Sequence, residues 1–101
     1  MNFQLNASDK TGQLVLNEPL TLDNIFLAKE LFMEAFEKAD LVNIQFKSIE
    51  KIDLSGIQLF CSAFRTFSET NKTLTIDNAN HAFILQKKAR KIGLNFNIDH
   101  P

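Results

Sequence analysis

Two hydrophobic periods take turns along this chain, and their alternation limits the fold more than any other feature. Across residues 22–39, apolar side chains recur at Ile25, Ala28, Phe32, Ala35, Phe36 and Ala39. Steps of three and four are the repeat of an α-helix with one face against a core. Leu22, Phe26 and Leu31 widen the stripe, Lys29, Glu30, Glu34, Glu37 and Lys38 form the polar face, and Thr21 or Asp23 is a candidate N-cap. Leu41-Val42-Asn43-Ile44-Gln45-Phe46 then alternates with a period of two, as a strand packed on at least one face does. Residues 53–70 return to the helical repeat, with Ile57, Phe60, Cys61, Phe64 and Phe67 inward. Ser55, Gln58, Ser62, Arg65 and Glu69 form the opposite stripe.

Thr73-Leu74-Thr75-Ile76 reads as a further strand, and Asn78-Ala79-Asn80 turns the chain into a helix over 80–92. Ala82, Leu85, Ala89 and Ile92 face inward there, Gly93 is placed as the C-terminal cap, and Asn95-Phe96-Asn97-Ile98 alternates as a last short strand. Upstream, Phe3-Gln4-Leu5-Asn6 and residues 13–17 read as a hairpin around the turn-forming Ser8-Asp9-Lys10-Thr11-Gly12. Pro19 ends the second strand because it lacks a ladder donor. The order is therefore β-β-α-β-α-β-α-β. A hairpin followed by alternating helices and strands implies an α/β domain, with a mixed, largely parallel central sheet and helices packed against it through right-handed crossovers. The 101 residues suffice for one domain spanning 1–101. Its aromatics are ten Phe with no Trp or Tyr, so most of the rings should be core filling, and a cluster that could not be buried would point to an interface.

Charge and motifs narrow the function. A formal net charge of −1 argues against a nucleic-acid binder, which needs a basic excess for phosphate contacts. The basic cluster Lys87-Lys88-Ala89-Arg90-Lys91 lies late in a helix, where cations complement the dipole; a phosphate or membrane patch is the second reading. Cys61 is the single cysteine, so no internal disulfide forms, and on the apolar face of its helix it reads as a buried, inert thiol. The first residues carry neither a charged n-region nor an apolar h-region, and no apolar run nears a membrane span, so the expected location is cytoplasmic. His81 suits a solvated or capping role and His100 lies in the tail. No Cys or His pair has metal-ligand spacing, and Gly12, Gly56 and Gly93 form no phosphate loop. Ser55 lacks a Gly-x-Ser-x-Gly context and a histidine base. The expectation is a non-enzymatic protein without metal or cofactor.

What remains is the stretch Ile52-Asp53-Leu54-Ser55-Gly56-Ile57-Gln58-Leu59, which places an acid, a hydroxyl and a glycine at a strand-to-helix turn. A helix N-terminus offers unpaired N–H groups and partial positive charge, so it suits an anion or a partner. Asp53 can act simply as an N-cap with Gly56 permitting close packing. It can also cap while Asp53, Leu54, Ser55, Gly56, Gln58, Ser62 and Arg65 present a docking surface. A third reading makes Ser55 a phosphosite, whose added charge would create or break a protein contact.

That motif, together with the element order, resembles the STAS domain, the family of bacterial anti-sigma-factor antagonists and of the C-terminal modules of sulfate transporters. Its signature is an apolar residue, Asp, two small residues, Gly and an apolar helix start. Gly12-Gln13-Leu14-Val15-Leu16 with Glu18-Pro19-Leu20-Thr21 is similar to the family's second strand and loop, with Asn17 where Gly is common, and Thr73-Leu74-Thr75-Ile76-Asp77-Asn78-Ala79 to its strand before the third helix. The resemblance covers nearly the whole chain. It implies a STAS fold and a regulatory protein partner: a kinase-type anti-sigma factor, a chemotaxis protein or, for a small subunit of a lipid-trafficking transport complex, an ABC ATPase. A nucleotide or other small ligand at the helix N-terminus is a further alternative. The antagonists are phosphorylated on the first small residue after the Asp. Leu54 stands there and cannot accept phosphate, and Ser55 matches the second position, so the resemblance with its Asp-Leu-Ser-Gly variant points to stand-alone STAS proteins of chemotaxis or sensory clusters.

Overall fold

A computed structural model describes residues 1–47 and 51–94. The elements are β1 (Asn2–Asn6), β2 (Thr11–Leu16), α1 (Ile25–Lys38), β3 (Leu41–Phe46), α2 (Leu54–Glu69), β4 (Thr73–Ile76) and α3 (Ala79–Lys91). The strand expected at 95–98 lies outside the described residues. The four strands form one mixed sheet in the order β1-β2-β3-β4. β1 runs antiparallel to β2, while β2, β3 and β4 are parallel.

Both parallel crossovers step the same way across the sheet, so right-handed connections put α1 and α2 on the same face. They pack against each other there, and α3 joins them by packing on α2 and β4. The result is two layers. Leu14, Leu16, Val42, Ile44, Phe46 and Leu74 point into the helices and are buried. Gln13 and Gln45 point the other way and are exposed, and Asn43 donates to Thr75 Oγ1 at 2.9 Å across the parallel pair. This one-sided covering explains why the strands alternate instead of reading as continuous apolar runs. Under the helices, the Phe60 ring meets Phe32 edge-on at 5.4 Å and Phe46 at 5.0 Å, and Phe36 meets Phe67 edge-on at 5.3 Å. Lys72 ties this layer down by lying over the Phe36 ring and donating to the Phe36 carbonyl.

Helix ends follow their caps. α2 ends on Asn71 in the left-handed region (φ 59°), with Lys72 N–H donating to Phe67 O and Asn71 N–H to Ser68 O. α3 ends the same way on Gly93 (φ 79°), with Leu94 N–H donating to Ala89 O. Each is a Schellman arrangement that satisfies the last carbonyls. Ile92, expected to face inward, is 43% exposed because it is the C-cap residue, beyond the buried Ala82–Leu85–Ala89 line.

The start of α1 differs from the expectation. Its N-cap is Asn24, not Thr21 or Asp23, and the Asn24 side chain makes no cap bond but donates to Pro19 O at 2.8 Å. Leu20 forms a parallel bridge with Ile52, with Leu20 N–H donating to Lys51 O and Asp53 N–H donating to Leu20 O. That lateral pairing fixes Leu20 beside Ile52, and a turn closed by Asn24 N–H donating to Thr21 O at 2.9 Å precedes the helix. Leu22 is 69% exposed and Phe26 75%, so neither widens the buried stripe. The stripe is carried by Ala28, Phe32, Ala35 and Ala39.

Candidate functional site: the capped turn at the start of α2

α2 begins where an extended segment ends, and Asp53 closes the junction with both carboxylate oxygens. Oδ1 accepts from the Ser55 hydroxyl at 2.5 Å and from Gly56 N–H at 3.2 Å. Oδ2 accepts from Leu22 N–H at 2.9 Å, thirty-one residues away in sequence. The Asp53 carbonyl receives the first helical bond, from Ile57 N–H at 3.0 Å. The hydroxyl of Ser55 does most to hold the Asp53 carboxyl below its ordinary value, the N–H groups of Leu22 and Gly56 add to it, and partial desolvation opposes them. The charge also sits at the favourable end of the helix dipole.

Gly56 is required by space. A Cβ there would lie 2.6 Å from Ile52 Cγ1 and 2.7 Å from the Leu20 carbonyl oxygen. The latter is backbone already tied by the Leu20–Ile52 bridge, so it cannot give way. Cap, glycine and bridge therefore form one rigid unit joining the entry to α2 with the loop before α1.

Of the residues expected at the site, Asp53, Ser55 and Gly56 are brought together by bonds or contact, and Leu54 stands beside them at 54% exposure. Gln58 is exposed one turn further, on Leu54's side of the helix. Arg65 is exposed about 16 Å along the axis from Leu54, so it is not part of the turn. Ser62 lies instead on one wall of a groove of about 410 Å³ between α1 and α2, floored by Phe32, Phe36, Leu59 and Phe67. Two residues absent from the expected set complete the surroundings. Leu22 is brought to the turn by its bond to Asp53, and Phe26 follows in the first turn of α1. Like Leu54, both are largely exposed. The available signal was angular: both lie to one side of the Ala28–Phe32–Ala35–Ala39 line.

Chemically, the turn holds charge and shape. The Ser55 proton is engaged by Asp53, and a carboxylate with lowered pKa is a weak base. Burial pushes the Cys61 thiol up, with Arg65 partly offsetting it, so the thiolate is disfavoured. The imidazole of His81 does not cap α3; its backbone N–H donates to Asn78 Oδ1, while the ring is half-buried and edge-on to Phe46. Among the described residues no group of three His, Cys, Asp or Glu side chains could hold a metal ion, and no helix is long and apolar enough to cross a membrane. No family model, curated protein or solved structure matches this chain.

Proposed function

We propose that this protein is a cytoplasmic STAS-type interaction module, without enzymatic activity, that docks a regulatory protein on the Asp53–Ser55 turn and the outer face of α2. The observation that carries the reading is a fully bonded carboxylate at that turn, flanked by the exposed Leu54 and tied to the backbone of the exposed Leu22, with the exposed Phe26 in the first turn of α1. Exposed large side chains on a rigid frame lose little conformational freedom on docking, and burying each contributes about 1.5–3 kcal/mol. Such anchors dominate interface energetics. Gln58 supplies an adaptable hydrogen-bonding group beside them. The partner is a signalling protein, a kinase-type anti-sigma factor or a chemotaxis protein, or else the ATPase of a lipid-trafficking transport complex.

Recognition is constitutive in this reading. Leu54 has no hydroxyl, and a phosphate on Ser55 would bring a charge of about −1.5 to −2 against the Asp53 carboxylate it now donates to. Calorimetric titration against a purified kinase-type anti-sigma factor, a chemotaxis protein and a transport ATPase tests the proposal. Binding by one of them, weakened tenfold or more by Leu54→Asp and by Phe26→Ala and less by Gln58→Ala, is the expected result. A partner that binds both the Leu54 and the Phe26 variant as tightly as the wild type overturns this surface, and no binding to any class overturns the function.

A further inference from the structure

The groove between α1 and α2 has a second property that the turn does not use. Lys29, Met33 and Glu37 follow one another at intervals of four on its α1 rim, forming a single ridge about 12 Å long. Met33, at the centre, is 54% exposed. Among the described residues neither Lys29 nor Glu37 forms an ion pair within the chain, whereas the nearby Lys38 and Glu34 pair with each other at 3.0 Å. The groove beside the ridge is apolar and unfilled, floored by Phe32, Phe36, Leu59 and Phe67.

We propose that this ridge and groove form the interface of a homodimer, in which α1 of a second copy packs antiparallel across a two-fold axis passing beside Met33. The argument is one of charge symmetry. A two-fold rotation about the midpoint of a Lys–Met–Glu ridge brings Lys29 of each copy opposite Glu37 of the other. Two ion pairs form at once, and the ridge is complementary to itself. An isologous contact needs this property, because residue i must meet j while j meets i. Antiparallel helices also align their dipoles favourably. The two Met33 side chains meet at the axis, where an unbranched thioether fits an irregular apolar cleft. Ser62, on the α2 wall, is covered in the dimer, while the Asp53–Ser55 turn lies at the N-terminal end of the helices and stays open to the signalling partner. The dimer goes beyond the docking function proposed above and shares with it only Phe26, which lies two turns before Met33 on the same side of α1.

Sedimentation equilibrium of the purified protein over a wide concentration range, compared with reversed-charge variants, tests the proposal. The wild type should show reversible monomer–dimer exchange that weakens with added salt. Lys29→Glu and Glu37→Lys should each raise the dissociation constant about tenfold or more, because each replaces two attractive contacts by two repulsive ones. The double variant Lys29→Glu/Glu37→Lys restores the symmetry with the signs exchanged and should return to within about threefold of wild type. Met33→Asp, which puts two carboxylates at the axis, should be monomeric, with the thermal midpoint that the wild type shows at concentrations low enough to be monomeric. A wild type that stays monomeric at every concentration overturns the proposal and leaves the groove to a different sequence. A dimer indifferent to the single reversals, or a double variant no tighter than the singles, overturns it equally.

Discussion

The N-termini of α2 and α3 solve the same problem with different reach. Both follow a bridged or strand segment, and both are capped by an Asx side chain in extended conformation. Asn78 is neutral and bonds only its own first turn, accepting from Asn80 N–H at 2.8 Å and His81 N–H at 3.4 Å. Asp53 is charged, adds a serine hydroxyl, and spends its second oxygen on the distant loop at Leu22. α1 starts without a side-chain cap bond at all. A local cap completes a helix, whereas a cap that crosses the fold fixes one element against another. The crossing cap is also the one that ties the start of α2 to the loop before α1.

Substitutions can break this contrast, and the largest effect should come from the glycine. Gly56→Ala forces a methyl against the Leu20 carbonyl and should destabilise by about 3 kcal/mol in denaturant unfolding. Gly93→Ala, where only the positive φ matters and no atom lies within 4 Å, should cost about 1 kcal/mol. Next, Asp53→Ala should lose about 2 kcal/mol and Asn78→Ala about 1 kcal/mol or less; equal losses would show that the tie to Leu22 contributes nothing.

A pH series sharpens the same comparison. The native Asp53 carboxyl is held below its unfolded value, so its contribution is fully present above about pH 4 and is lost as pH falls through the native value. The stability difference between wild type and Asp53→Asn should therefore shrink on acidification, while that between wild type and Asn78→Ala stays flat. Ser55→Ala should cost about 1 kcal/mol and move the Asp53 titration, followed by NMR, up toward the ordinary carboxylate range. Smallest of all, Phe26→Ser should change stability by less than about 0.5 kcal/mol, since the ring touches water more than core.

Much of this was legible in the residues. α2 was readable almost to the residue because five apolar positions sit on one stripe and Asp53 is a strong N-cap. The third helix announced its end through Gly93. The start of α1 was not legible, because the bridge between Leu20 and Ile52 joins segments far apart in sequence, and periodicity within one segment carries no trace of it. Leu22 and Phe26 fit the helix stripe by hydrophobicity, and only their angular offset from the Ala28–Phe32–Ala35–Ala39 line tells that they turn outward. At the site, the cap by Asp53 and the close approach at Gly56 could be anticipated from residue type. The bond to Leu22 and the groove that separates Ser62 from the turn could not, since both depend on how α1 sits beside α2.

The bond from Leu22 to Asp53 also has a kinetic meaning. It closes a loop of thirty-one residues that contains α1 and β3, so it is made only when both ends of that loop are in place. The amide of Leu22 therefore reports the seating of α2 on the sheet, although its side chain lies in water. In hydrogen exchange it should be protected to the same degree as Gly56 N–H at the other end of the junction, and the two should open as one cooperative unit.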